Sequence, residues 1–403
     1  MKRRRVVYIS YDGLADPLGQ SQVLPYVQGL AKRGHTFHLL SFEKAGNALT
    51  LRSRPSPGVA WTATRYHKTP TVPATAFDMA QGLAAASVLS LVRRADLLHV
   101  RSYVAATMAL PLARLARIPL LFDMRGLWAD EKVDAGHWPR EGGLYRGAKN
   151  VEKHLLAGAS AITVLTNDMQ HLLRHEYAQR DVIRAPISVI PTCADLDVFH
   201  PDAKPDAALA RELGDARVLS YVGSFGTWYM AEEMARFYLA WRRHVPRAKL
   251  LVISRDEPDV MRRVLEAHGV ADEIVHRPSS RDEVASRIRA SHASVCFVRS
   301  TFSKRGSAAT KVGEILGCGV PIAANVIGDV RDVLGDPSVG VVVEPDSDAA
   351  IDAAARELAR LSERPAVAVA TRAQAVRWFS LDRAIDAYDA LYPGDVASDR
   401  RWP

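Results

Sequence analysis

Short runs of strand-forming apolar residues alternate with amphipathic helical segments along this chain, and the alternation stops once and then starts again. In the first half, strand-like runs at 6–10, 37–41, 97–101, 119–124, 161–165 and 187–191 are separated by helical patterns at 21–32, 77–93, 103–114 and 147–157. Strands this short and this continuously apolar are buried on both faces, which requires a parallel, doubly wound sheet with its crossover helices on either side. The stretch from Pro191 to Pro201 reads as a linker and is followed by a polar, Ala-rich segment at 202–216. The pattern then resumes with strands at 218–222, 249–254, 273–276, 293–298 and 321–324 and helices at 231–243, 260–267, 281–290 and 310–316. A long Ala-rich helix at 348–360 and a last helix at 380–391 complete it. The expectation is an α/β chain of two units, 1–195 and 196–380, with a ligand cleft at the carboxyl ends of both sheets and a terminal segment, 381–403, of its own.

Composition fits such a chain. Its 403 residues are 48% hydrophobic with ordinary Gly and Pro, enough for two sizeable cores. The three cysteines, Cys193, Cys296 and Cys318, are far apart and form no CxxC pair, which argues against a metal cluster or a disulfide framework and for a reducing cytoplasm. The apolar runs at 83–92 and 118–122 are too short to span a membrane, and the Met1–Arg5 start has no signal-peptide character. A net charge of +8 suits pyrophosphate ligands or an anionic membrane surface. Nucleic acid is disfavoured, because no basic stripe alternates with aromatics.

The segment from Thr310 to Asn325 concentrates the chemistry. A helix starting at Thr310 places Lys311 near its positive end, where backbone N–H groups favour phosphate, and Glu314 one turn later on the same face. A carboxylate there can take two ribose hydroxyls. The alternative is a capped surface helix with an i,i+3 ion pair.

These residues resemble the donor-binding signature of retaining glycosyltransferases of the GT-B fold, particularly family 4. In that signature a Glu, seven residues and a second Glu precede a Cys/Ala-Gly-x-Pro turn. Glu314, Gly319 and Pro321 match its second half; the first Glu falls at Gly306 and is absent, and 302–310 is similar instead to a Ser/Lys-rich loop of a bacterial subgroup. The resemblance implies two Rossmann-like domains and a last helix that crosses back to the N-terminal domain. It also extends to the loop from Asp12 to Gln22, similar to the Asp-Pro-Leu-Gly-Gln-Ser form of bacterial members. There Gly19 permits close backbone approach, Ser21 can cap the next helix, and Asp16, Gly19, Gln20 and Ser21 would reach the donor pyrophosphate and the acceptor. This loop is not G-x-G-x-x-G, so a nicotinamide cofactor is disfavoured.

The matching loop of the second half is Tyr221–Trp228, where Gly223 and Gly226 allow close approach, Ser224 and Thr227 present hydroxyls, and Phe225 lies between them. Family 4 members typically have Gly-Arg here and a Lys shortly after. This chain has neither, so the charge for a leaving diphosphate falls first to Lys311, with Arg255, Lys304 and Arg305 as alternatives. In the loop 121–131, matching Trp128 to the family's Trp places Asp123, Arg125 and Gly126 at the cleft. Arg125 could hold an anionic acceptor or position the donor sugar, and Asp130 or Glu131 could accept the acceptor's proton or simply begin a helix. His99 and Arg101 end a strand on the acceptor side, although a lone His there is equally a structural residue. The Asp195-Leu-Asp197 triplet lies in the linker and reads as a turn, with no metal site inferred.

The implied reaction is transfer of a hexosyl group from a nucleotide-diphosphate sugar to a hydroxyl of a saccharide or lipid-linked acceptor, with retention of configuration. It would need no metal and no cofactor, and would serve surface-polysaccharide or glycoconjugate synthesis on the cytoplasmic side of the membrane. The alternatives are a nucleotide-sugar 2-epimerase of the same fold and a non-catalytic nucleotide-sugar-binding subunit.

Overall fold

A computed structural model describes residues 3–45, 57–69, 71–308, 310–392 and 399–402. Met1 and Lys2 of the basic start, Ala309 before Thr310, and 393–398 and Pro403 of the terminal segment lie outside the described residues. The chain forms two compact units. The first comprises Met1–Pro191, Arg305–Ser307 and Leu381–Trp402; the second comprises Thr192–Lys304 and Ala308–Ser380.

Unit 1 is built on seven parallel strands: β1 (Arg5–Ser10), β2 (Thr36–Glu43), β3 (Val59–Arg65), β4 (Leu97–Arg101), β5 (Leu120–Asp123), β6 (Ala161–Val164) and β7 (Ile187–Val189). Their order is β3-β2-β1-β4-β5-β6-β7, so winding reverses between β1 and β4. Central strands β4 and β5 are buried at every position, as runs covered on both faces must be. Edge strand β3 shows no such run; its half-exposed, polar pattern gave no apolar signal, and the sequence reading missed it.

The helix expected at 21–32 is two helices, α1 (Pro17–Gln22) and α2 (Leu24–Lys32), broken at Val23. Pro17 at the first helical position starts α1 four residues earlier than Ser21. Further on come α3 (Thr71–Val92), α4 (Ser102–Ala116), α5 (Trp128–Asp134), whose first turn holds Asp130 and Glu131 as the helix-start alternative for these acids expects, and α6 (Gly143–Gly158). In α3, Pro73–Val92 is long and apolar enough to cross a membrane, and only 22% of that window is buried. This corrects the expectation that no run reaches that length: Ala-rich sequence extends the apolar stretch back past Gln81. The helix nevertheless belongs to the α/β layer. It packs on β1, β2 and α4, and its buried Asp78 accepts from Tyr11 Oη at 2.9 Å and from the His67 backbone N–H at 3.0 Å.

The last helix, Leu381–Leu391, lies in unit 1 against α2, where a side chain at Gly29 would overlap Ile385. His35 Nε2 bonds Asp389 Oδ1 at 2.7 Å beneath it. Arg400 then bridges the edge of β7, accepting from Val189 N–H at 2.9 Å.

Unit 2 has six parallel strands: β8 (Arg217–Val222), β9 (Ala248–Ile253), β10 (Ile274–Arg277), β11 (Ala293–Cys296), β12 (Ile322–Ala324) and β13 (Gly340–Val342). The order is β10-β9-β8-β11-β12-β13, with reversal between β8 and β11. Strand β13 and the helix Val367–Phe379 were not anticipated. Unit 2 begins at Thr192 rather than at 196, because the Ala194 N–H donates to Phe379 O at 3.0 Å and draws the start of the linker into this unit. In open parallel sheets, ligands bind at the carboxyl ends of strands flanking the reversal. The candidate positions are therefore the ends of β1 and β4 in unit 1, and of β8 and β11 in unit 2. The three cysteines are free and buried.

Candidate functional site

In unit 2 the chain leaves β8 at Gly223, whose φ of 115° suits glycine, and turns through Ser224, Phe225, Gly226 and Thr227. The Gly223 N–H donates to Ile253 O at 2.9 Å, the Phe225 N–H to Asp256 Oδ2 at 2.9 Å, and Tyr221 Oη to Ser224 O at 2.5 Å, so the loop is held from three sides. Lys311, the second residue of the helix Thr310–Gly317, reaches into this turn. Its Nζ lies 3.6 Å from the ring centroid of Tyr229 and 5.0 Å from that of Tyr221, and a Cβ on Gly223 would overlap it. Among the described residues this buried ammonium has no hydrogen-bond partner. Lys304, also buried, places Nζ 3.8 Å above the Trp228 ring. Two cations thus stand on the aromatic rings that follow the glycine turn, an attraction that orients them without neutralising them. Half-buried Glu314 lies one helical turn beyond Lys311.

In unit 1, Ser10, Arg101, Asp123 and Thr163 stand side by side in register at the carboxyl ends of β1, β4, β5 and β6. Asp123 Oδ1 accepts from Thr163 Oγ1 at 3.0 Å and faces Arg125 Nη1 at 3.4 Å; its Oδ2 faces Arg101 Nη1 at 3.6 Å. Burial alone would raise the Asp123 pKa, but Arg125 and Arg101 outweigh it and hold the carboxyl below its usual range. Arg101 also lies 3.5 Å from Asp12, and among the described residues its Nε and Nη1 make no hydrogen bond. Directly after it, Ser102 has a φ of 68°, an uncommon conformation for a residue with a side chain.

Both units match known families. The family described as "Glycosyltransferase Family 4" matches residues 20–198, and "Glycosyl transferases group 1" matches residues 216–361. The chain is a family 4-like glycosyltransferase. It is 27% identical over 319 residues to a D-inositol 3-phosphate glycosyltransferase of Nocardiopsis dassonvillei, covering 73% of this chain and 70% of that protein. Among solved structures it resembles a sucrose-phosphate synthase from Thermosynechococcus elongatus, with TM-score 0.73, 17% identity and 97% and 98% of the two chains covered. It also resembles Anabaena HepE in complex with UDP, with TM-score 0.69, 12% identity and 96% and 99% covered. These likenesses show a GT-B fold of two Rossmann-like domains.

Several candidate residues of this glycosyltransferase are engaged elsewhere. Gly19 approaches its own loop rather than open space, since a Cβ there would lie 2.6 Å from Leu14 Cα. Gln20 Nε2 donates to Leu14 O at 2.7 Å. Ser21 is not a cap: it sits inside α1 and donates to Pro17 O at 2.8 Å. Asp16 flanks the start of α1 and meets Lys44 at 2.8 Å. Buried Glu43 holds this loop through the Leu14 and Ala15 N–H groups at 2.5 and 3.2 Å, a role for which a strand-end acid was the available signal.

Asp130 is not placed as a base. It is buried and accepts from Tyr145 Oη at 2.8 Å and Lys149 Nζ at 3.0 Å, in a network with Glu152, Tyr103 and Tyr177. His99 is a core residue 2% exposed, bonded through Nδ1 to Tyr392 Oη at 2.8 Å, and burial lowers its pKa to about 4. Trp128 packs its half-buried ring 5.9 Å from Tyr103 and 5.2 Å from Trp138. Arg305 belongs to unit 1, where its fork binds Asp168 and Glu176, both at 2.7 Å. Exposed Arg255 donates to Ser279 O at 3.3 Å. Asp195 caps its own turn through the Asp197 and Val198 N–H groups. Of the four cations considered for the diphosphate, Lys311 and Lys304 stand at the glycine turn; the rings of Tyr229 and Trp228 that hold them went unnoticed in the sequence.

Proposed function

We propose that this glycosyltransferase moves a hexosyl group from a nucleotide-diphosphate sugar to a hydroxyl of a saccharide or lipid-linked acceptor, with retention and without a metal ion. The observation that supports this reading is the buried, unpartnered Lys311 ammonium beside Gly223, at the carboxyl end of β8. A cation without an acceptor is costly unless a ligand supplies one, and a diphosphate is the ligand that β8 and the helix N-terminus favour together. Glu314 binds the ribose hydroxyls, and Gly223, Ser224, Gly226, Thr227 and Thr310 supply backbone or hydroxyl donors to the phosphates. UDP and UDP-glucose in Anabaena HepE, a structure of the same fold, are the first donors to try.

The chemistry is displacement at the anomeric carbon, with the departing diphosphate taking the acceptor proton on the same face. Charge grows on the diphosphate as the bond breaks, so fixed cations there lower the barrier. In unit 1, Arg101 and Arg125 face the acceptor, which suits an acceptor bearing anionic groups. The test is a thermal-shift screen of nucleotide sugars, then transfer to a mixed saccharide acceptor pool in EDTA, with anomeric configuration read by NMR. Stabilisation by one nucleotide-diphosphate sugar and a retained anomer support the reading. Free epimerised sugar in the absence of acceptor would instead identify a 2-epimerase.

A further inference from the structure

The first residue after β1, the stretch that leaves β3 and the first half of α3 meet at one fully buried carboxylate. Asp78 Oδ2 accepts from Tyr11 Oη at 2.9 Å and from the His67 backbone N–H at 3.0 Å. Its Oδ1 bonds His67 Nδ1 at 2.6 Å. Because Asp78 accepts at both oxygens, Nδ1 carries the proton of the neutral imidazole and Nε2 carries the lone pair. The cluster stands at the carboxyl edge of the unit 1 sheet, just past Ser10 and Arg65, where those strands end. Asp12, next to Tyr11, meets Arg101 at 3.5 Å, so the cluster adjoins the arginine assigned above to the acceptor.

The imidazole is not needed to fasten this stretch of chain. The His67 N–H reaches the same carboxylate, and the Tyr66 N–H donates to Glu43 O at 2.9 Å. What the Nδ1 bond adds is a fixed ring. Nδ1 faces a buried partner while 34% of the side chain is exposed, so the edge that bears Nε2 is the open one. Among the described residues Nε2 makes no hydrogen bond. Phe77, 58% exposed, stands 5.3 Å from the imidazole with the two rings at 85°. An oriented hydrogen-bond acceptor beside an exposed aromatic ring suits a pyranose, which offers a hydroxyl to the nitrogen and an apolar C–H face to the ring.

We infer that His67 is a specificity residue for the acceptor, its Nε2 accepting a hydrogen bond from a saccharide hydroxyl while Phe77 covers the apolar face of the same sugar. Asp78 and Tyr11 are the positioning residues that hold the ring. The inference rests on the saccharide acceptor proposed above and adds the residue that selects it. The lone pair favours a hydroxyl over an anion, since a phosphate or carboxylate oxygen has no proton to donate to it. Arg101 serves an anionic group, and His67 serves a neutral one.

The test is NMR of the ring nitrogens in the full chain grown with nitrogen-labelled histidine, with UDP present and with methyl glucoside, methyl galactoside and methyl mannoside added in turn. Signals missing from His67→Gln identify His67. The expected result is a proton on Nδ1, a bare Nε2, and an Nε2 signal that shifts with at least one hexoside. By calorimetry that hexoside should bind about fivefold to tenfold more weakly to His67→Ala, the loss of one hydrogen bond, and nearly normally to His67→Gln, whose amide oxygen can stand in for Nε2. UDP affinity and melting should not change in either variant. Asp78→Asn should move the ring proton to Nε2 and weaken the hexoside as His67→Ala does. A proton on Nε2 in the wild type, no shift of the His67 signals with any hexoside, or undiminished affinity in His67→Ala would overturn the inference. Hexoside binding at His67 in a protein that does not bind UDP would uphold the subsite and count against the donor reading alone.

Discussion

The Lys311 ammonium fills the place where a side chain on Gly223 would stand. The glycine is therefore needed twice, for its φ of 115° and for the room that it leaves to the cation. Gly223→Ala is expected to cost roughly 1–2 kcal/mol in stability from the backbone alone and to displace Lys311. Transfer should fall sharply in the folded enzyme, and adding Lys311→Ala to Gly223→Ala should lower it little further, because the two changes act on one contact. Steady-state kinetics of both single variants and the double variant check this; fully additive losses would separate the two residues.

Lys311→Ala should lower kcat more than it raises the donor KM, since negative charge on the diphosphate is greatest in the transition state. Lys311→Arg should recover part of the loss, because a planar fork does not fit the space between the rings of Tyr229 and Tyr221 as an ammonium does. Normal turnover in Lys311→Ala beside a crippled Lys304→Ala would transfer the role to Lys304.

Asp130→Ala should act on stability rather than chemistry. It strips a carboxylate from Lys149 and Tyr145 in a buried network, a loss of about 3–5 kcal/mol. Urea unfolding and activity per folded molecule distinguish the cases: an intact fold with abolished transfer would restore Asp130 as a base.

The architecture was legible where burial writes a continuous apolar run, as in β1, β4 and β8, and where glycine marks a turn, as at Gly223. It was illegible where exposure mixes the pattern, as in β3, or where a short element such as β13 presents three residues only. The site divides in the same way. Lys311 and Gly223 are brought together by strand order alone, because the helix Thr310–Gly317 follows β11, the neighbour of β8. Asp130 could not be read correctly, since its partners Lys149 and Tyr177 lie 19 and 47 residues away. Nor could Arg305, whose two carboxylates lie more than a hundred residues earlier in the chain.

Acid should weaken unit 1 through His99. Burial holds its folded-state pKa at about 4, below the usual 6.5, so the unfolded chain binds a proton that the folded chain refuses between those values. The contribution is fully present above pH 6.5 and is lost as pH falls toward 4, with a slope on the order of 1 kcal/mol per pH unit. Urea midpoints between pH 7 and pH 5 should fall, and His99→Gln should flatten the dependence. An unchanged slope would show that other groups set it.

Titration calorimetry of UDP and other nucleoside diphosphates against wild type and Glu314→Ala tests the donor seat most directly. A carboxylate holding two ribose hydroxyls accounts for roughly 2–4 kcal/mol, so the variant should bind its preferred diphosphate about thirtyfold to a thousandfold more weakly while melting as the wild type does. Undiminished affinity in a folded Glu314→Ala protein would contradict the account.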